Sequence, residues 1–343
     1  MKELLKELSL AFGPSGCEDE VREIIRKYLE ENMPKGSELY TDHNGGIFLH
    51  IKNEGKPRLM VSAHMDEVGF MVTHIEENGL LRFGCVGGID TLVLSAKRVI
   101  SESGKRGSII TKPIHLLTYE EKDKKPKISD MLIDIGASSR EEAKKLTFVG
   151  EYFTFDSDYV EYGEGFVKCK ALDDRLGCAI MCKTVKDIKE GLVPEYDIYF
   201  AFTCREEVGY SGAFGAAYAI KPDYGIVIES KAVADVHGVS EQKKVCELGD
   251  GAVISFADLG TIYDRDFVRH IMELCDKKEI KYQVHRVISG GNDSRNIQGS
   301  ACGCKMGLLS AASRYIHSPA NVVHYDDLDA IYKALKEVIT ERG

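Results

Sequence analysis

Arg58-Leu59-Met60-Val61-Ser62-Ala63-His64-Met65-Asp66 reads as a buried strand that carries an imidazole and a carboxylate at its end. Its middle is apolar enough for the centre of a sheet. In open α/β sheets, ligands bind beyond the carboxyl ends of the strands. Side chains two apart on a strand face the same side, so Asp66 is placed to meet the His64 ring. A carboxylate there bonds the second ring nitrogen and fixes the tautomer, as around metal-ligating histidines.

Upstream, the pattern predicts two helices in the first forty residues. Ser15-Gly16-Cys17-Glu18 has capping-box spacing, and Val21, Ile24, Ile25, Tyr28 and Leu29 then recur on one helical face. Ile47 to Ile51 reads as a further strand. Downstream, turn signals come quickly: Glu77-Asn78-Gly79, Gly87-Gly88, Ser103-Gly104 and Gly163-Glu164-Gly165. Between them lie short β-type runs such as Gly69 to Ile75, Val99 to Ser101 and Gly107 to Thr111, with one helix-like stretch from Ser138 to Leu146. This region predicts a small barrel. After Ala171 the α/β rhythm returns, with helices expected at Leu176 to Ile188, Ala213 to Ala219, Asp264 to Lys278 and Asp327 to Thr340. Strands are expected at Ile198 to Thr203 and Tyr224 to Ile228. The economical model is one α/β domain, residues 1–66 and 168–343, with a β-rich domain, residues 67–167, inserted in it.

At 343 residues the chain has room for both domains. The formal net charge of −10 disfavours nucleic-acid binding, which needs clustered Lys and Arg. The short basic run Lys122 to Lys127 is flanked by acids and reads as a solvated loop. No apolar run approaches the roughly 18 residues of a membrane span. The N-terminus alternates charge with leucine and lacks the apolar core of a signal peptide. The ten cysteines show no paired spacing, which suits free thiols in a reducing cytosol. A cytoplasmic protein without membrane or nucleic-acid partners is expected.

Five places put hard metal ligands at or just after a predicted strand or loop end: His64-Met65-Asp66, Asp173-Asp174, Glu206-Glu207, Glu229 and His317. Adjacent Asp173 and Asp174 repel unless a cation offsets them. Arg175 at a surface, a helix dipole or a metal pair bridged by one carboxylate would each serve. Glu206 and Glu207 follow the apolar run Tyr199 to Thr203. If they continue the strand they face opposite ways, so one can ligate while the other handles protons. Imidazole and oxygen donors without thiolates suit zinc, cobalt or manganese. A carboxylate bridge with two further ligands on each side describes a two-metal hydrolase.

Taken in order, Ala63-His64-Met65-Asp66-Glu67-Val68-Gly69-Phe70, Ile133-Asp134-Ile135-Gly136-Ala137, Lys170-Ala171-Leu172-Asp173-Asp174-Arg175, Glu206-Glu207-Val208-Gly209 and Arg314-Tyr315-Ile316-His317-Ser318-Pro319 resemble the M42 metallo-aminopeptidases. This is the glutamyl and tetrahedral aminopeptidase group, and the match runs nearly end to end. The resemblance implies a mixed sheet flanked by helices, as in zinc peptidases, with the inserted barrel serving dimerisation. It implies two divalent ions per subunit, zinc or cobalt first and manganese next. Asp173 would bridge them, with His64 and Glu229 completing one site and Glu207 and His317 the other. Glu206 would be the base that takes a proton from the bridging water and passes it to the leaving amine, and Asp66 would orient His64. The peptide after the bridging aspartate is expected to be cis. Glu229 stands where many relatives carry aspartate, and Asn292-Asp293-Ser294 varies on a Gly-Thr-Asp pattern. The implied substrates are short peptides with a free N-terminus. The implied assembly is a dimer, six of which build a twelve-subunit tetrahedral shell.

Three other readings compete. Some family members carry an endoglucanase label, but this chain has no tryptophan to stack a sugar ring. A carboxypeptidase or deacylase would share the metals. An inactive, metal-dependent assembly protein would have no need of Glu206.

Overall fold

The computed structural model describes residues 1–209 and 211–342. Its centre is an eight-stranded mixed sheet in the order Glu38–Thr41, Ile47–Ile51, Asp197–Thr203, Arg58–His64, Tyr224–Ala232, Lys305–Ser313, Ala252–Ile254, Tyr282–Val284. The four strands from Asp197–Thr203 to Lys305–Ser313 run parallel, with Thr203 opposite His64 and Val227 opposite Ser62. Arg58–His64 and Asp197–Thr203, largely buried, read as nearly continuous apolar runs.

One face is covered by helices Lys2–Leu10, Asp19–Asn32, Leu172–Lys189, Arg265–Lys277 and Tyr325–Thr340, the other by Ser211–Ile220 and Ser294–Gln298. Gly177 lets the Leu172–Lys189 helix lie close on the central strand. A Cβ there would stand 2.8 Å from the Ala63 Cβ and 2.7 Å from Asp174 Oδ2.

The inserted region forms a closed six-stranded antiparallel barrel: Gly69–Ile75, Leu81–Val86, Leu132–Asp134, Arg106–Ile110, Arg98–Ser101 and Tyr152–Phe155. Phe70 packs edge-on against Phe83 and Phe155 within its own apolar core. A three-stranded sheet, Val160–Tyr162, Phe166–Cys169 and Asn321–His324, lies where the chain returns from the barrel.

Several expectations are corrected. Ser15 does not cap a helix. Its hydroxyl donates to Asp66 Oδ2 at 2.6 Å, Glu18 accepts from the Gly16 N–H, and the helix begins at Asp19 without a side-chain cap. The stretch Ser138 to Leu146 supplies only the single turn Arg140–Ala143. The strand Lys305–Ser313 lies in the middle of the sheet yet went unread, because Met, Leu, Ala and Ser carry little β preference. Lys122 to Lys127 is exposed, as expected of a solvated loop.

Candidate metal centre

The candidate ligands converge at the carboxyl ends of three adjacent parallel strands. His64 is the last residue of its strand, and Glu206 and Glu207 follow its neighbour Asp197–Thr203. Glu229 lies within Tyr224–Ala232 rather than ending it. Asp173 enters from the first turn of the Leu172–Lys189 helix, where it and Asp174 depart from helical dihedrals and the peptide between them is cis. His317, in left-handed conformation, comes from the loop after Lys305–Ser313.

Two groups result: His64, Asp173 and Glu229, and Asp173, Glu207 and His317, each with potential ligand atoms within 4.8 Å of one another. Asp173 belongs to both. Its Oδ1 stands 3.5 Å from His64 Nε2, and its Oδ2 stands 3.4 Å from His317 Nε2. Glu229 lies 3.7 Å from His64 Nε2, and Glu207 lies 3.2 Å from His317 Nε2.

The other ring nitrogens are taken. His64 Nδ1 faces the Asp66 carbonyl at 3.1 Å and the Asp66 carboxylate at 3.4 Å. His317 Nδ1 faces the Gly88 carbonyl at 2.6 Å, a contact from the loop after the Leu81–Val86 barrel strand. Nitrogen Nε2 is therefore the one left for a ligand in both rings. Gly87 has to lack a side chain, since a Cβ would meet Val68 at 2.9 Å and the Glu207 Cβ at 3.2 Å.

Asp66 lies beyond the strand end, so its position is set by hydrogen bonds rather than by the pleat. It accepts from the backbone N–H of Glu206 at 3.0 Å and of Glu207 at 3.1 Å, as well as from Ser15. The glutamate pair accordingly sits on a tight turn, Glu206–Val208, instead of continuing the strand. Asp174 accepts from the His64 and Gly177 N–H groups. Arg175 is fully buried, contrary to the surface reading. It donates to the Leu8 and Gly13 carbonyls and stands 3.6 Å from Glu67.

Four carboxylates thus share one cavity of about 580 Å³ with two imidazoles. Burial pushes Glu206 well above the usual carboxylate range, and Glu229, Asp293 and Glu207 add to it against the opposing charge of His64. Glu229 rises to about 8, from burial and then from Asp173. Burial opposes charge on His317, yet bonds to Asp173 and Glu207 lift it to about 11. Asp173 Oδ1 has no hydrogen bond among the described residues. An excess of buried carboxylate with an orphaned oxygen fits a pair of divalent cations, which would neutralise what two imidazoles only partly offset.

A family model described as M42 glutamyl aminopeptidase matches residues 45–333. The lysyl aminopeptidase of Pyrococcus furiosus is 31% identical over 347 residues, covering 99% of this chain and 96% of its own. The TET aminopeptidase of a Thaumarchaeota archaeon from marine sediment superposes with a TM-score of 0.95 at 30% identity, covering 99% of this chain and 96% of the other. The Pyrococcus horikoshii TET1 peptidase, which assembles into a tetrahedron or a large octahedral shell, superposes with a TM-score of 0.88 at 32% identity and 99% coverage of both chains. The chain belongs to the M42 glutamyl aminopeptidase family and is a metal-dependent aminopeptidase.

Proposed function

We propose that the cavity removes N-terminal residues from short peptides with two metal ions, zinc or cobalt first and manganese next. His64, Asp173 and Glu229 would hold one and Asp173, Glu207 and His317 the other. When bound, such a pair polarises the scissile carbonyl, makes water acidic and stabilises developing negative charge.

The chain's own residues do the rest. Glu206 lines the same cavity, and its carboxylate makes no hydrogen bond or ion pair among the described residues. It is free to take a proton from the attacking water and return it to the leaving amine, while Glu207, one residue on, serves as a ligand. Asp66 holds both glutamates through their backbone N–H groups and steadies His64 with the same carboxylate. The observation that carries this reading is the spare, buried carboxylate beside two ligand groups that share Asp173. A purely structural metal site needs no such base.

The barrel, residues 67–167, is proposed as the dimerisation domain, with dimers assembling into a tetrahedral dodecamer; the TET1 relative forms a dodecamer and can assemble into a tetrahedron. The test is a panel of aminoacyl-p-nitroanilides, each free and N-acetylated, offered to metal-stripped protein with zinc, cobalt or manganese restored. Metal-dependent release from free amines alone is expected. Cleavage of acylated peptides or of a glucan instead would overturn the reading.

A further inference from the structure

The wall of the cavity away from the paired carboxylates carries a group that the reaction leaves unused. Lys231 is two residues beyond Glu229 on the same strand, so both face one side, about 6.6 Å apart along it. Its side chain is nearly buried, and it is the one Lys or Arg lining the cavity among the described residues. An ammonium has three donors. Lys231 Nζ gives one to the Ser289 carbonyl at 3.0 Å and has no other hydrogen bond and no ion pair among the described residues. Asp258, whose charge favours the ammonium, forms no ion pair with it among the described residues. Its oxygens accept from the Gly260 and Thr261 N–H groups, the Tyr263 hydroxyl and the Asn292 amide.

The surroundings are small and polar. Ser230, Ser289, Gly290, Gly291 and Asn292 line this part of the cavity. A Cβ on Gly290 would lie 3.5 Å from Lys231 Nζ, so the bare backbone leaves the ammonium approachable. A buried cation with donors to spare is a recognition site for a small anion and a poor one for a large apolar or cationic group.

We propose that Lys231 is the specificity-determining residue, its ammonium pairing with the side-chain carboxylate of an N-terminal glutamate or aspartate. The inference rests on the aminopeptidase reading of the same cavity, in which the N-terminal residue lies beside Glu229 and projects its side chain along the strand. Membership of the family does not settle the choice, because the Pyrococcus furiosus relative is a lysyl enzyme.

The test compares kcat/KM for glutamyl, aspartyl, leucyl, alanyl and lysyl p-nitroanilides in the metal-loaded wild-type protein and in Lys231→Met, Lys231→Arg and Lys231→Glu. Calorimetric binding of free L-glutamate and L-leucine gives a readout independent of turnover. Wild-type protein should favour the acidic substrates and bind L-glutamate more tightly. Lys231→Met should lose about 10- to 100-fold on them, with the alanyl substrate little changed. Lys231→Arg should keep the preference, and Lys231→Glu should shift it toward the lysyl substrate. Hydrolysis of leucyl or alanyl substrates without an acidic preference would overturn this inference and leave the aminopeptidase reading standing. So would an equal loss on every substrate in Lys231→Met, which would mark a structural lysine. No hydrolysis of any free amine would remove both.

Discussion

At the scale of single residues, chemistry is decided by which buried groups lack a partner. Glu206 is the clearest case, since its carboxylate is spare while Glu207 beside it meets His317. Glu206→Gln keeps shape and volume, so metal content and assembly should be unchanged while turnover falls by about 10²- to 10⁴-fold. Normal activity in that variant, with metal content confirmed by elemental analysis, would end its assignment as the base. His285 offers a second test away from the ligands. Both its ring nitrogens are buried without hydrogen bonds among the described residues. Burial, then Lys231, lowers it to about 4 against the opposing charge of Asp258. Folding therefore keeps this ring neutral while the unfolded chain binds a proton near its usual 6.5. Its contribution is complete above about pH 6.5 and is lost as pH falls toward 4, amounting to at most about 3 kcal/mol. Urea unfolding of wild type and His285→Gln at about pH 7 and about pH 4.5 should show the wild type losing about 2 kcal/mol more between the two. Equal pH dependence would refute the argument.

At the scale of elements, the barrel and the catalytic sheet are tied by buried charge. Glu67 accepts from Lys170 Nζ at 2.6 Å and from the Thr154 hydroxyl of a barrel strand at 2.7 Å, while Lys170 also donates to the Ala11 carbonyl. Lys170 lies three residues before Asp173, so the same network anchors the chain that carries the aspartate common to both candidate groups. Lys170→Met should strand the Glu67 carboxylate and cost about 3–5 kcal/mol in denaturant unfolding. The double variant with Glu67→Gln should recover part of that loss. A Lys170→Met protein as stable as wild type would show that the pair contributes nothing. The sequence signalled strongly periodic elements well: the Asp19–Asn32, Arg265–Lys277 and Tyr325–Thr340 helices all show a one-sided apolar face. It signalled the middle of the sheet poorly, because Lys305–Ser313 owes its conformation to neighbours on both sides rather than to its own preference.

At the scale of the molecule, the barrel reaches into the catalytic centre through Gly88, whose carbonyl turns His317 toward Asp173 and Glu207. In the proposed assembly, the barrel and the loop that carries His317 would be linked through this contact. Analytical ultracentrifugation of the metal-loaded protein should show a twelve-subunit species. A fully active monomer would overturn the proposed shell. No helix among the described residues is long and apolar enough to cross a membrane, and all ten cysteines are unpaired.

Composition, periodicity and the order of the motifs by themselves determined the α/β class, the inserted barrel and the candidate ligand residues that the fold gathers. Those features are written locally, in residue type and spacing. Only the tertiary structure decided that Asp66 holds the glutamate turn through backbone N–H groups, that Arg175 is buried against Leu8 and Gly13, and that Lys231 donates to the Ser289 carbonyl. Each of these depends on segments brought together from distant parts of the chain, and a hydrogen bond formed across such a distance leaves no pattern in the residues around it.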